Sequence, residues 1–365
     1  MKKNNHAKIM MVAGGTGGHL FPAIALSEQL SLDKKYEIIL VTDLRCNKYL
    51  PSNLPIKHHI VKIYINFKGI KNIICSFWQM ITSILHSIQI VYSEKPKLVI
   101  GFGGYTSFPT LIVAKIINIP IIVFEPNSFM GRVNLFFAKY AKKIITSTEI
   151  TNIPIQYKNK LIYSPLLIRQ KIKEYKKTYQ ANSNIFHLLI IGGSQGASFF
   201  DDVIPEAIEQ LLTIDPKINI KITQQVKKEN IEKLEAKYRS MNIEHHISDF
   251  FIDIPDIYNS VQLIISRSGA SSVSEITYMN IPAIYIPYPY SKDDHQFYNA
   301  KVIQEQHYGW CFRQAEITSN KLALLLKELI CNPMQLQKIS DNMAKNCQKT
   351  NMQHLSSTLL EIIDQ

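Results

Sequence analysis

At 365 residues the chain exceeds one ordinary core, and a prior of roughly 150 residues per domain implies two domains. Apolar residues make up 46% and charged residues 19%, so both halves can bury a core, while Cys46, Cys75, Cys311, Cys331 and Cys347 form no CxxC pair. That spacing excludes a disulfide framework and a cysteine-built zinc site and points to a reduced, cytoplasmic compartment. The net charge of +12 favours anionic partners, but lysine and isoleucine are abundant everywhere, so charge alone decides little.

Lys2 and Lys3 followed by the apolar run Ile9 to Ala13 superficially resemble a signal peptide. The run is short and stops in glycines, so it is read as the first strand. Further Ile- and Val-rich runs follow at Glu37 to Val41, His59 to Tyr64, Leu98 to Gly101, Ile119 to Phe124 and Lys143 to Thr146. Helical stretches separate several of them, the pattern of a parallel sheet covered on both faces. From Thr151 to Asn184 the chain turns polar and basic, which marks a linker. The pattern restarts at His187 to Ile191, Asn219 to Thr223, Gln262 to Ser266 and Ala283 to Ile286, and the chain from Pro333 onward reads as helices. The fold class is therefore α/β, with two doubly wound units.

Between Asn72 and Ser93 there is no charged residue, yet Asn72, Ser76, Gln79, Thr82, Ser83, His86 and Gln89 interrupt the apolar residues. The helical recurrence of Ile74, Phe77, Trp78, Ile81 and Ile88 predicts an amphipathic helix rather than a bilayer span. One reading is a helix that covers the sheet. The other adds Lys62, Lys68 and Lys71 and makes the aromatic tip a surface for anionic lipid.

The first apolar run ends in Gly14-Gly15-Thr16-Gly17-Gly18-His19, ahead of a helix expected to open at Phe21-Pro22. A strand that stops in glycines and restarts as a helix makes an anion site, and His19 at its mouth is a candidate proton acceptor. A dinucleotide fingerprint fails because Leu20 stands where a small residue is needed, although Asp43 would suit a nicotinamide ribose if it is not a turn residue. Gly101 to Tyr105, with Gly103 and Gly104, makes a further glycine turn, and Glu125-Pro126-Asn127 follows the next run at the same sheet edge. Gly192 to Gly196 matches GxSxG, which admits a hydrolase with Ser194 as nucleophile, Asp249 or Asp253 as acid and His295 as base. No HGGG loop accompanies it, and phosphate binding by Ser194 and its neighbours is the simpler account. Arg267 to Glu275 places Ala270, Ser271, Ser272, Val273 and Ser274 where a helix opens, with N–H groups suited to a diphosphate.

Together GGTGGHLFPA (14–23), GFGGY (101–105), EPN (125–127), GGSQGA (192–197), SRSGASSVSE (266–275) and DDHQFYNA (293–300) resemble the MurG family of glycosyltransferase family 28. These are the N-acetylglucosaminyltransferases that form lipid II in peptidoglycan synthesis. The resemblance implies a GT-B fold of two Rossmann-like domains facing across a cleft. It also implies an inverting transfer of N-acetylglucosamine from UDP-GlcNAc to the 4-hydroxyl of the muramyl sugar of lipid I, with no cofactor, no metal and no nucleic-acid partner.

Under that resemblance 1–165 is the acceptor and membrane-associating domain, 166–184 the linker and 185–340 the donor-binding domain, with 341–365 packing back on the first. His19 is implied as the general base, with Glu125 as a second catalytic candidate. Gly14, Gly15, Gly103, Gly104 and Tyr105 are implied at the acceptor. The donor is implied at Thr16, Gly17, Gly18, Asn127, Ser194, Ile252 for the uracil, Arg267, Ala270 to Ser274, Glu275 for the ribose and Gln296 for the sugar. Two departures stand out. Phe124 and Pro126 replace the family's histidine and glutamine around Glu125, and Leu167 replaces an arginine, with Arg169 the nearest substitute. Family members are peripheral on the cytoplasmic side of the inner membrane, which gives the 72–93 helix its implied role.

Overall fold

A computed structural model describes residues 7–31, 35–47, 49–50, 56–63, 70–193, 198–251, 253–347 and 352–364. The chain divides into two compact units, one of Met1–Gln170 with Lys349–Gln365 and the other of Lys171–Gln348. The first carries strands β1 Ala7–Val12, β2 Tyr36–Asp43, β3 Lys57–Val61, β4 Leu98–Gly101, β5 Ile121–Glu125, β6 Lys143–Thr146 and β7 Leu161–Tyr163. Its helices are α1 Gly17–Ser31, α2 Leu44–Asn47, α3 Ile70–Glu94, α4 Gly104–Ile116 and α5 Arg132–Ala138, with α6 Gln170–Tyr175 at the division. The second carries β8 Phe186–Ile191, β9 Ile220–Gln225, β10 Glu244–Ser248, β11 Leu263–Ser266, β12 Ala283–Tyr285 and β13 Gly309–Cys311. Its helices are α7 Ser198–Ile214, α8 Ile231–Ser240, α9 Ile254–Tyr258, α10 Ala270–Tyr278, α11 His295–Glu305, α12 Ser319–Cys331 and α13 Pro333–Cys347; α14 Met352–Asp364 returns to the first unit.

Every strand pairing is parallel, in the orders β3-β2-β1-β4-β5-β6-β7 and β10-β9-β8-β11-β12-β13. Helices cover both faces of the first sheet, which explains its unbroken apolar strands. Ile9 and Met11 of β1 enter one core with Leu20, Phe102 and Phe124, while Met10 and Val12 enter the other with Val91 and Leu111. In each sheet the chain reverses its direction of travel between the first strand and the fourth, β1 and β4 or β8 and β11. That switch point opens a crevice at the carboxyl edge where ligands of such sheets bind.

Three strands escape sequence reading: β7, β10 and β13. Two are only three residues long, and β10 (EHHIS) is largely polar, because each lies at a sheet edge and buries little. The helix after the first glycine turn begins at Gly17, not Phe21, since the Thr16 carbonyl already accepts from the N–H groups of His19 and Leu20 at 3.2 Å. Pro22 therefore stands inside α1. The segment that returns to the first unit is shorter than 341–365, because α13 runs on to Cys347 in the second, and its helix α14 starts at Met352. Leu355, Leu359 and Ile362 of α14 join the first unit's core, and Tyr36 donates to the Ser356 carbonyl at 3.0 Å.

Candidate active site

The first unit gathers its glycine turns around Asp43, the last residue of β2. Asp43 is fully buried, and its Oδ2 accepts from the Gly15 N–H (2.9 Å), the Thr106 hydroxyl (2.9 Å) and Arg45 (3.0 Å). Its Oδ1 caps α2 by accepting from Cys46 N at 3.0 Å. With both oxygens so occupied, Asp43 is a hub that binds the first loop to α4, and the nicotinamide reading loses its ribose ligand. Gly15 has φ of 88°, a conformation open to glycine at little cost. Gly104, with φ of 69°, sits where any Cβ would stand 3.2 Å from the Gly14 carbonyl and 3.3 Å from the His19 ring. Only glycine permits that approach, so Gly14, Gly15, Gly104 and the half-buried His19 form one surface, with Thr16 exposed at its rim.

Glu125 ends β5 with 1% exposure, and four N–H groups converge on it. Asn127 donates through its backbone (3.0 Å) and side chain (3.1 Å), Gly131 N at 2.9 Å and Asn134 Nδ2 at 2.8 Å. Burial pushes this carboxyl upward, and the hydrogen bonds from Gly131, Asn134 and Asn127 pull it back. A carboxyl so enclosed organises the 125–134 loop. Asn134 also donates to the Phe124 carbonyl and packs beside Gly103, joining this loop to the glycine turn after β4. Asp43 has a partner 63 residues away in Thr106, and Asn134 reaches back 9 and 10 residues to Glu125 and Phe124. Their only signal is a polar residue at an apolar site: Asn in RVNLFFA, and Asp closing an Ile/Val strand.

Phe124 stacks on Phe102 with centroids 4.9 Å apart, and Leu167 is buried in the same core at 7% exposure. Leu167 thus holds the position of the family's arginine as a core residue. Arg169 lies in the first unit with its guanidinium 5.2 Å from the Phe21 ring centroid.

In the second unit α10 opens at the carboxyl edge of β11, with Gly269 as N-cap. Ala270 is buried, Ser271 to Ser274 are half-buried, and Glu275 is buried one turn further on. The N–H groups of a helix start and the helix dipole make this end receptive to phosphate oxygens. Ser268 Oγ donates to the Gln296 carbonyl (2.8 Å) and Asn299 Nδ2 to the Ser268 carbonyl (2.9 Å), which brings the start of α11 beside the start of α10. Gln296 Oε1 accepts from Tyr288 N at 3.0 Å.

Arg267 is 7% exposed and donates to the Ile286 and Pro287 carbonyls (2.9 and 3.0 Å) and Gln314 Oε1 (2.8 Å), with its guanidinium carbon 4.8 Å from the Phe200 ring centroid. Burial pushes its pKa down to about 10. The guanidinium fastens the β12 exit to the rest of the unit. Ser194, Ile252 and Lys68 lie outside the described residues, as does the side chain of Lys71. The base of the alternative hydrolase triad, His295, turns Nδ1 to the Lys292 carbonyl at 2.7 Å.

Residues 9–146 match the glycosyltransferase family 28 N-terminal domain, and 187–356 match its C-terminal domain. The chain belongs to glycosyltransferase family 28. The UDP-N-acetylglucosamine--N-acetylmuramyl-(pentapeptide) pyrophosphoryl-undecaprenol N-acetylglucosamine transferase of Rickettsia bellii is 38% identical over 98% of this chain and 99% of its own. The enzyme of the same name from Rickettsia canadensis is 37% identical over 98% of this chain and 99% of its own. Among solved structures, Acinetobacter baumannii MurG shares the fold with a TM-score of 0.77 at 24% identity, covering 97% of this chain and 99% of that one. The glycosyltransferase VinC, solved with DTDP, shares it at 0.68 and 12% identity, covering 98% and 99%. The architecture of this family 28 member is therefore GT-B, with two Rossmann-like units, and the hydrolase and nicotinamide readings of its glycine turns fall away.

Proposed function

We propose that this chain transfers N-acetylglucosamine from UDP-GlcNAc to the 4-hydroxyl of the muramyl sugar of undecaprenyl-linked lipid I, with inversion, giving lipid II. The observation that supports it most is near-full-length likeness, at 36–38% identity, to transferases bearing that name. The acceptor belongs on the first unit's surface of Gly14, Gly15, Gly103, Gly104 and Tyr105. His19, through Nε2 since Nδ1 is buried, removes the proton of the acceptor hydroxyl as its oxygen forms the new bond to the donor C1. The C1–O bond to the diphosphate breaks in the same displacement, and the electron pair leaves with UDP.

The donor belongs on the second unit. The α10 N-terminus (Ala270 to Ser274) and the Ser194 turn receive the charge that grows on the diphosphate, Glu275 faces the ribose, Gln296 the sugar and Ile252 the uracil. Thr16, Gly17 and Gly18 approach the donor from α1. Glu125 is a positioning residue that shapes the 125–134 loop, Asn127 beside it is a candidate donor contact, and Arg169 remains the basic residue nearest the position of Leu167.

The lipid-linked acceptor requires a membrane surface, and α3 supplies one. Ile74, Phe77 and Trp78 are 55%, 64% and 61% exposed on a face with the half-buried Ile81, while Ser83, Ser87 and Ile90 pack inward. This reads as a peripheral protein on the cytoplasmic face of an anionic inner membrane, serving cell-wall growth, shape and division. Incubation with radiolabelled UDP-GlcNAc and a short-chain lipid I analogue tests the function directly. Label in the lipid product is expected; donor binding with no transfer would remove lipid I as the acceptor.

A further inference from the structure

Arg45 occupies a position that the sugar and phosphate assignments above leave unused. Asp43 caps α2 and thereby presents Arg45 over the first glycine turn. The Arg45 Nη2 lies 3.0 Å from Asp43 Oδ2 and 3.4 Å from the place a Gly15 Cβ would take, and the guanidinium carbon is 4.9 Å from the centroid of the Tyr105 ring. Contacts from the ends of β1, β2 and β4 thus hold one planar cation at the carboxyl edge of the sheet. Its side chain is nevertheless 41% exposed. His19 lies close by, since a Cβ on Gly104 would stand 3.2 Å from the Gly14 carbonyl and 3.3 Å from the His19 ring.

Neutralising Asp43 does not require this placement. The carboxylate already accepts from Gly15 N, Thr106 Oγ1 and Cys46 N, and any cation would serve for the rest. A guanidinium hydrogen-bonded to a buried carboxylate and held 4.9 Å from an aromatic centroid is oriented, and an oriented fork is what recognises phosphate or carboxylate oxygens in two-point fashion. The acceptor proposed above carries both groups, a pyrophosphate and the carboxylates of its peptide. Resting on that function, we infer that Arg45 binds an anionic oxygen of the acceptor, with Asp43 and Tyr105 orienting it.

Steady-state kinetics of Arg45→Gln test this, because glutamine keeps an N–H for Asp43 but loses the charge and the fork. The acceptor KM rises about 10- to 100-fold, the worth of a charge-assisted hydrogen bond. The donor KM and the thermal midpoint stay at wild-type values, which a merely structural role would not allow. Arg45→Lys restores part of the loss by returning the charge without the plane. Repeating the assay with the acceptor's peptide carboxyls amidated identifies the oxygen. A rise that persists assigns the guanidinium to pyrophosphate, and one that vanishes assigns it to the peptide. An acceptor KM within about twofold of wild type in Arg45→Gln overturns the inference alone, as does an equal rise in both KM values with a lowered midpoint. No transfer by the wild-type chain overturns the proposed function and this inference with it.

Discussion

At the residue scale, the charged side chains nearest the glycine turns divide by burial. Asp43, Glu125 and Arg267 are enclosed and satisfied by N–H groups or carbonyls of the fold, whereas His19 and Arg45 keep an exposed edge. Glu125→Gln tests that division, because its new NH2 would face N–H donors that now find an oxygen. Urea unfolding should show a loss of about 1–3 kcal/mol along with reduced transfer; full stability with activity lost would make Glu125 a base after all. The glycine turns and His19 were legible in sequence because loop chemistry is local. The roles of Asp43 and Arg267 were not, since their partners stand far away: Thr106 is 63 residues from Asp43, and Gln314 is 47 from Arg267. Spacing along a chain does not reveal which polar groups the fold will bring together.

At the element scale, α3 has two faces with different work. Its inner face packs through Ile90 and Val91 into the first unit's core, and its outer face exposes Ile74, Phe77 and Trp78. Trp78→Glu should weaken binding to anionic liposomes by about tenfold or more, from lost apolar burial and added repulsion; unchanged binding would remove α3 as the membrane face. The far end of α3 is pinned at Glu94, 3% exposed, which meets Lys57 at 2.5 Å, His59 Nε2 at 2.8 Å and Lys8 at 3.4 Å. Burial alone would raise this carboxyl, but the hydrogen bonds from Lys57, His59 and Lys8 outweigh it and hold it at about 2 against an ordinary 4.5. A depressed carboxyl contributes its stability above pH 4.5 and loses it as pH falls from 4.5 toward 2. Glu94→Gln should flatten that part of the stability profile, as followed by circular dichroism; an unchanged acid limb would show that the pin is idle. Long elements such as α3 were legible because their periodicity is long. The edge strands β7, β10 and β13 were not, being short or polar where one side lacks a neighbour.

At the scale of the whole molecule, two parallel sheets with a glycine turn at each switch point were legible from the repeated strand–glycine–helix pattern. The return of α14 to the first unit rests on Leu355, Leu359 and Ile362 meeting a core built from the other end of the chain, a pairing that no local pattern encodes. The proposed function divides the labour, with acceptor chemistry and membrane contact assigned to the first unit and nucleotide chemistry to the second. Its centre is His19, on the one surface where Gly14, Gly15, Gly104 and Arg45 meet. The most direct test is the turnover number for sugar transfer by His19→Ala at saturating donor and acceptor, beside the wild-type enzyme and with folding checked by thermal melting. The account predicts an intact fold and a kcat lower by about 100- to 10,000-fold. A variant that transfers within about tenfold of wild type would contradict it and move the proton acceptor elsewhere.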